Sequence, residues 1–289
     1  MRRAIGQSLR IGVSGHAVSL LRVSRWRMGG STPPLTVLAE HAFPPTAEHP
    51  HDAIAQALRA LLGELELGGW PVSFVLADDL TRLWHVTPPA GAARMADIEA
   101  AAALRFQTLY GESPTAWQIS ADWNARKPFF AAAVPRTLLA ELRLVAQEYK
   151  LSVVAIEPHF VSAWNRWHGA LKPDAWFGLV HEHLLTVAVI ASGADLGAHG
   201  GHAGVRAIRA LPVPPGADQH WLTQALTREA LLQNMAAPAQ LQVCGTLPDA
   251  WMRAAGNPAL IPCVALEPPQ SAANQLSAAV LLARGGSLR

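Results

Sequence analysis

Residues 176–193 read WFGLVHEHLLTVAVIASG, and this stretch repeats a pattern found earlier in the chain. Apolar and β-branched residues lie on both sides of the polar segment HEH, which predicts two strands joined by a tight turn. Residues 9–23, LRIGVSGHAVSLLRV, have the same arrangement around the segment SGH. A third apolar run follows each pair, at residues 36–43 and 205–211. The sequence therefore predicts two lobes that each begin with three consecutive strands.

The composition is that of a folded protein, and nothing in it demands nucleic acid, so we expect no nucleic-acid partner. The chain has 289 residues, of which 51% are hydrophobic and 15% charged, so it can bury one large core or two linked ones. Its 23 basic residues are scattered among 21 acidic ones, with no basic stripe. The sequence has no apolar run long enough for a membrane span and no secretory signal, and Cys244 and Cys263 form no CxxC pair. We expect a cytoplasmic protein.

The segments between the strand triplets predict an alternation of helices and strands. A helix is expected from Ala53 to Leu65, capped by Asp52, and an alanine-rich helix from Met95 to Leu109. Further helices are expected at residues 137–149, 158–168, 220–235, 248–255 and 272–283, and further strands at 72–76, 80–86, 117–123, 129–134, 151–157, 241–244 and 260–266. This order predicts an α/β protein.

The predicted lobes divide near the segment Lys172-Pro173-Asp174. Residues 1–173 form lobe I, with an inserted α/β subdomain at about 70–157, and residues 174–289 form lobe II. The last helix, residues 272–283, is expected to return to lobe I. Two such lobes describe a two-lobed actin-like (ribonuclease H-like) fold.

Several local motifs carry a family resemblance over nearly the whole chain. They are the segments Leu104-Arg105-Phe106 and Tyr110-Gly111, the strand end AAAVP at 131–135, YKLSVVAIEPHFVSAWNRW at 149–167, Val243-Cys244-Gly245, and NQLSAAVLLARGGSLR at 274–289. In this pattern the chain resembles the PilM-like proteins of type IV pilus assembly and the cytoplasmic domain of the GspL component of type II secretion. The resemblance implies a non-catalytic scaffold at the inner face of the inner membrane.

The resemblance also implies a partner. In that family the cytoplasmic tail of a membrane protein, PilN-like in the pilus system, docks on the first lobe. We therefore expect a partner groove that includes Leu83, Trp84, Leu104, Phe106, Trp117 and Trp123. Other proteins of the assembly platform would bind elsewhere, and the chain would reach the membrane through its partners.

The turns that hold phosphate in actin-like ATPases depart from the expected pattern here. Ser14 takes the place of an Asp beside Gly15, and His181 and Glu182 take the place of a glycine-bearing turn. A side chain at a glycine position blocks the approach of phosphate to the backbone. Gly245 is one glycine where a pair is common. These five degenerate nucleotide positions predict no bound cofactor and no ATP hydrolysis.

Other readings of the polar residues stay open. The chain can still be an ATP-binding actin-like ATPase, or an unrelated α/β protein. A histidine-dependent, metal-binding hydrolase would use the histidines 181, 183, 199 and 202, although their spacing matches no established zinc signature. Ser14 beside His16 lacks the context of a nucleophile elbow, and Asp78-Asp79 is more typical of a solvated turn than of a catalytic pair.

Overall fold

A computed structural model of the chain describes residues 6–24, 35–44, 48–92, 94–191, 205–252, 259–267 and 276–285. The strands are β1 (Gln7–Val13), β2 (Ala17–Ser24), β3 (Leu35–Ala42), β4 (Pro71–Leu76), β5 (Arg82–Val86), β6 (Trp117–Ala121), β7 (Phe129–Pro135), β8 (Ser152–Pro158), β9 (Ala175–His181), β10 (Leu184–Ile190), β11 (Val205–Pro212), β12 (Gln240–Gly245) and β13 (Cys263–Ala265). The helices are α1 (Pro50–Leu62), α2 (Met95–Tyr110), α3 (Arg136–Glu148), α4 (His159–Trp167), α5 (Gln219–Leu232), α6 (Asp249–Met252) and α7 (Ala278–Arg284).

Contacts divide the chain into two compact units. The first contains residues 1–81, 134–166 and 272–289, and the second contains residues 82–133 and 167–271. The predicted boundary near residue 173, and the insert at about 70–157, stay predictions. None of the described helices is both long enough and apolar enough to cross a membrane.

The first unit is built on a five-stranded sheet in the order β3-β2-β1-β4-β8. β2 is antiparallel to both of its neighbours, β1 and β3, whereas β4 runs parallel to β1 and β8 runs parallel to β4. Alternate residues of β1 point to opposite faces, so Leu9, Ile11 and Val13 enter a core shared with α1 and α3. Gly12 lies on the other face, where α7 packs on β1 and β2.

Helix α1 starts earlier than the sequence predicts. The position before its first residue is His49, and its side chain makes no capping hydrogen bond. The prediction that Asp52 caps the helix is wrong, because Pro50 opens the first turn and places Asp52 inside it. A proline is tolerated there, since the first turn leaves its backbone N–H groups without intrahelical partners. The acidic side chain of Asp52 still opposes the positive end of the helix dipole.

The second unit contains two sheets. One has five strands in the order β11-β10-β9-β12-β13, and the other has three in the order β5-β7-β6. In the five-stranded sheet β9, β10 and β11 are antiparallel, and β12 and β13 run parallel to β9. This sheet therefore repeats the order and the strand directions of the sheet in the first unit. The two strand triplets expected from residues 9–43 and 176–211 begin these two sheets.

Candidate functional site

The turn between β1 and β2 is closed by its own hydrogen bonds. The backbone N–H of Ser14 donates to the carbonyl of Ala17 at 2.9 Å. The N–H of Ala17 donates in turn to the hydroxyl oxygen of Ser14 at 3.1 Å. Ser14 is buried, and the carboxylate of Asp79 lies beside Gly15. Two amides of this turn are thus engaged, and the nearest acidic group would repel a phosphate that arrives without a cation.

The turn between β9 and β10 is held by hydrogen bonds to Thr246, a residue that follows β12 and lies outside the hairpin. Glu182 has a left-handed backbone with φ of 53°, and its N–H donates to the hydroxyl oxygen of Thr246 at 3.2 Å. The N–H of Thr246 donates to the carbonyl of Val180 at 3.0 Å. Gly245, with φ of 98°, lets the chain approach so closely that any Cβ there would overlap the carbonyl oxygen of Val180. The segment after β12 therefore engages one backbone N–H of this turn, that of Glu182.

The histidines of the metal hypothesis are only partly described. His181 ends β9 and is buried, whereas His183 is exposed, because the chain reverses direction between them. His199 and His202 lie outside the described residues. Within the described ranges, no three His, Cys, Asp or Glu side chains form a group that could hold a metal ion.

The neighbouring residues Asp78 and Asp79 lie in different environments. Asp78 is buried and accepts a hydrogen bond from the backbone N–H of Phe160, near the start of α4, at 3.0 Å. Asp79 is exposed. The carboxylate of Asp78 therefore lies at the positive end of the dipole of α4, where a negative charge is favoured.

Most residues predicted for the partner groove form the interior of the α2–β5–β6–β7 segment. Trp84, Phe106 and Trp117 are buried, with the ring centroid of Phe106 5.3 Å from Trp84 and 5.5 Å from Trp117. Leu83 is also buried, whereas Trp123 is half-buried against Phe129. Leu104 differs from them, since 68% of it is exposed. Of the six, Leu104 is therefore the side chain most available to a partner.

A cavity of about 510 Å³ lies beside this segment, within the second unit. One wall is β5 with the residue after it, a second is formed by Ala101, Arg105 and Leu109 of α2, and a third by residues 206–209 of β11. The three α2 residues are spaced four apart, so they lie along one stripe of the helix. The hydroxyl of Tyr110, which also lines the cavity, donates to the carbonyl of Leu83 at 2.9 Å.

The cavity has an excess of positive charge. Arg105, Arg206 and Arg209 line it together with His85. Arg209 is paired with the buried carboxylate of Glu229, at 3.3 Å between Nε and Oε2. Burial lowers the pKa of His85, and the nearby charges of Arg206 and Arg105 lower it further. The sequence gave no signal for this group, because its members come from three distant segments.

Comparison with solved structures identifies the fold. The cytoplasmic domain of EpsL, an inner-membrane component of the type II secretion system of Vibrio cholerae, superposes with a TM-score of 0.52 at 15% identity, over 84% of each chain. A structure of the PilM–PilN type IV pilus biogenesis complex matches with a TM-score of 0.56 at 16% identity, over 82% of this chain and 81% of that one. The chain has an actin-like fold.

The predicted resemblance to PilM and to the GspL cytoplasmic domain is confirmed in the fold. An exopolyphosphatase from Cytophaga hutchinsonii matches more weakly, with a TM-score of 0.37 at 9% identity, over 83% of this chain and 67% of that one. No family model matches the sequence, and no curated protein matches it. The actin-like fold is therefore visible in the arrangement of strands and helices, with little sequence identity to accompany it.

Proposed function

We propose that the chain is a non-catalytic adaptor on the cytoplasmic side of a type IV pilus or type II secretion assembly platform. It binds the cytoplasmic tail of a PilN-like inner-membrane protein, and its other surfaces bind other proteins of the assembly platform. The fold shared with PilM and the EpsL cytoplasmic domain supports this proposal. Cytoplasmic localisation, with membrane association through partners, follows from the same proposal.

The proposal that the chain is not catalytic rests mainly on the hydrogen bond from the N–H of Glu182 to the hydroxyl oxygen of Thr246. Phosphate binding in a turn relies on free backbone N–H groups that point at the ligand. Here Thr246 already accepts from that N–H, and in the equivalent turn of the first unit the N–H groups of Ser14 and Ala17 donate to the carbonyl of Ala17 and to the hydroxyl of Ser14. A triphosphate could use the N–H groups of Ser14, Ala17 and Glu182 only if these bonds were broken.

The partner surface is centred on α2 and β5. Leu104 and Met95 are 68% and 50% exposed, so α2 presents large apolar side chains to solvent. Phe106 on the buried face of α2 packs against the buried rings of Trp84 and Trp117, which fixes the helix on the sheet beneath it. A preformed surface loses less entropy on binding than a mobile one. Of the six residues predicted for the groove, Leu104 would thus contact the partner, and Trp84, Phe106 and Trp117 would support that surface from the core.

Binding of the PilN-like tail tests the proposal directly. A labelled peptide of that tail is titrated with the purified chain, with Leu104→Asp as the test variant and Leu144→Asp as the matched control. Leu144 is a leucine of α3 that is 46% exposed. Leu104→Asp should weaken binding at least about tenfold, because a charge would replace an apolar contact. Equal binding by both variants would refute the assigned surface, and no binding by the parent chain would refute the adaptor function.

The alternative is an ATP-binding actin-like ATPase, as the sequence leaves open. It requires that both turns rearrange to free their amides, and measurable binding of magnesium and ATP would favour it.

A further inference from the structure

The cavity of the second unit lies where two strands meet beside α2. β5 and β11 pack against each other, and residues 83–87 and 206–209 line the cavity. Helix α2 forms another wall through Ala101, Arg105 and Leu109. The space left between these elements is about 510 Å³, within the range of about 300–1,000 Å³ that is typical of small-molecule sites. The cavity therefore suits a compact ligand.

Two positive charges of this cavity have no counter-ion. Arg105, Arg206 and Arg209 line it, and none of the described residues that line it is acidic. Arg209 pairs with the buried carboxylate of Glu229, which lies behind the lining. Arg105 and Arg206 are exposed, and neither forms an ion pair or a hydrogen bond with any residue that the structure describes. Like charges that share a cavity without a counter-ion are complementary to an anion.

Arg206 is placed at the cavity by an irregularity of β11. Along β10, Val189 pairs with Ala207 and Ile190 pairs with Val205, so Arg206 is the extra residue of a β-bulge. Bulges re-aim a side chain and interrupt regular pairing. The other uncompensated arginine belongs to α2, so the two guanidinium groups reach the cavity from different elements.

His85, which also lines the cavity, lies near both uncompensated arginines. Burial lowers the pKa of His85, and the charges of Arg206 and Arg105 lower it further. Both guanidinium groups therefore lie close enough to one imidazole to act on it. Near neutral pH the imidazole is uncharged, so it adds no further positive charge, and each of its two ring nitrogens can donate or accept a hydrogen bond.

The arrangement of the charges favours two carboxylates over one phosphate. A guanidinium presents a planar fork of N–H donors that matches the two oxygens of a carboxylate, so two forks on separate elements suit one carboxylate each. A phosphate would instead concentrate its negative charge at one point. Leu109 and Tyr110, which line the cavity, belong to the last turn of α2, where the helix dipole is negative and disfavours such a concentration.

An apolar surface lies beside the charge on α2. Ala101 and Leu109 are each four residues from Arg105, so the three side chains lie along one stripe of the helix, with the charge in the middle. Leu109 is 37% exposed and is therefore available to a ligand. A hydrocarbon chain that joins two carboxylates would bury apolar surface against this stripe.

We propose that this cavity binds a small aliphatic dicarboxylate, with one carboxylate on Arg105, the other on Arg206, and the hydrocarbon chain against Leu109. This site is separate from the adaptor function, which is tested through Leu104 and the tail peptide. Either one can therefore fail while the other stands.

Calorimetric titration of the full chain tests the site. Succinate, adipate and suberate are each compared with the monocarboxylate of the same length, butyrate, hexanoate and octanoate. At least one dicarboxylate should bind about tenfold or more tightly than its monocarboxylate, because it engages a second guanidinium. The double variant Arg105→Gln/Arg206→Gln should lose this preference and keep the melting temperature of the parent chain, since both side chains are exposed. Arg143→Gln, which removes an exposed arginine of α3, should retain the preference.

An NMR titration of the His85 imidazole in the parent chain locates the ligand. A carboxylate bound to the arginines offsets their charge, so saturation with the preferred dicarboxylate should raise the pKa of His85. Inorganic phosphate should bind more weakly than that dicarboxylate.

Three results would overturn the proposed site. The first is equal affinity of the parent chain for dicarboxylates and monocarboxylates, or a preference that persists in the double variant. The second is an unchanged pKa of His85 at saturation, because the ligand would then lie elsewhere. The third is tighter binding of inorganic phosphate than of every dicarboxylate, which would contradict the assignment of two carboxylates.

Discussion

Replacing Gly12 by alanine tests how α7 is held against β1. A Cβ at this position would lie 2.8 Å from the carbonyl oxygen of Ala279, 2.8 Å from the backbone nitrogen of Ala283 and 2.9 Å from the hydroxyl oxygen of Ser19. Two of these atoms belong to the helix backbone, so a rotamer change cannot relieve the overlap. Overpacking of this kind costs about 1–3 kcal/mol.

A hydrogen bond at the same contact increases the expected loss. The hydroxyl of Ser19 donates to the carbonyl of Ala279 at 2.6 Å, and moving α7 outward would weaken this bond, which contributes about 1 kcal/mol. If α7 detached completely, Val280 and Leu282 would become exposed, and each exposure would cost about 1.5–3 kcal/mol. The cost of detaching the helix sets an upper bound on the loss of stability. We expect a loss of about 2–4 kcal/mol in the free energy of unfolding.

Thermal unfolding followed by circular dichroism measures the change. A loss of that size lowers the melting temperature by roughly 4–16 °C. Gly169→Ala is the matched control, because a Cβ there has no atom within 4 Å and the backbone is not left-handed. It should leave the melting temperature unchanged or slightly raised. If Gly12→Ala behaves like Gly169→Ala, the close packing of α7 on β1 is wrong.

Three further predictions concern the second unit. Gly245→Ala should destabilise the chain by more than about 2 kcal/mol, because a Cβ would overlap the carbonyl of Val180 and the left-handed backbone disfavours any side chain. Urea unfolding measures this loss of stability. Burial raises the pKa of Cys263 to about 12, so in the native state this thiol should not react with Ellman's reagent at pH 8, whereas it should react quickly in denaturant; a rapid native reaction would contradict its burial. The pKa of His85 lies below 6.5, so the unfolded chain binds more protons near that pH, and the stability that depends on His85 falls as the pH drops from 6.5 through the lower folded pKa. Arg206→Gln should raise this pKa in an NMR titration of the imidazole, and an unchanged value would refute the proximity of the two groups.

The sheets were predictable because their strands follow simple rules. Tight turns separate the apolar runs of both hairpins, and residues at every second position of β1 enter one core. Helix α2 ends where Gly111 takes a left-handed backbone with φ of 68°, as a glycine after an alanine-rich run predicts. These signals are local in the sequence.

The candidate site depends on contacts that local signals do not contain. Thr246 accepts a hydrogen bond from Glu182, which is 64 positions away in the sequence, and no motif in either segment predicts this bond. The residue types in the turns suggested a blocked phosphate site, and the structure adds that the N–H groups of Ser14, Ala17 and Glu182 are engaged in hydrogen bonds. The cavity was missed for the same reason, because Arg105 and Arg206 stand in a helix and a bulged strand far apart in sequence.

The aromatic residues show a further limit. Trp84, Phe106 and Trp117 were predicted to line a partner groove, and the structure places them in the interior of the segment that carries α2. Sequence alone does not distinguish an aromatic residue that fills a core from one that contacts a partner, since both uses favour large rings.

Calorimetric titration of the purified full chain with ATP and magnesium tests the central claim most directly. The closed turns predict no heat of binding and no rise in melting temperature at millimolar nucleotide. A true site would stabilise the chain by about 2.7 kcal/mol when the ligand is at 100 times its Kd. Saturable binding of ATP with magnesium, lost when Gly15 is replaced by aspartate, would contradict the account of an adaptor whose phosphate turns are closed.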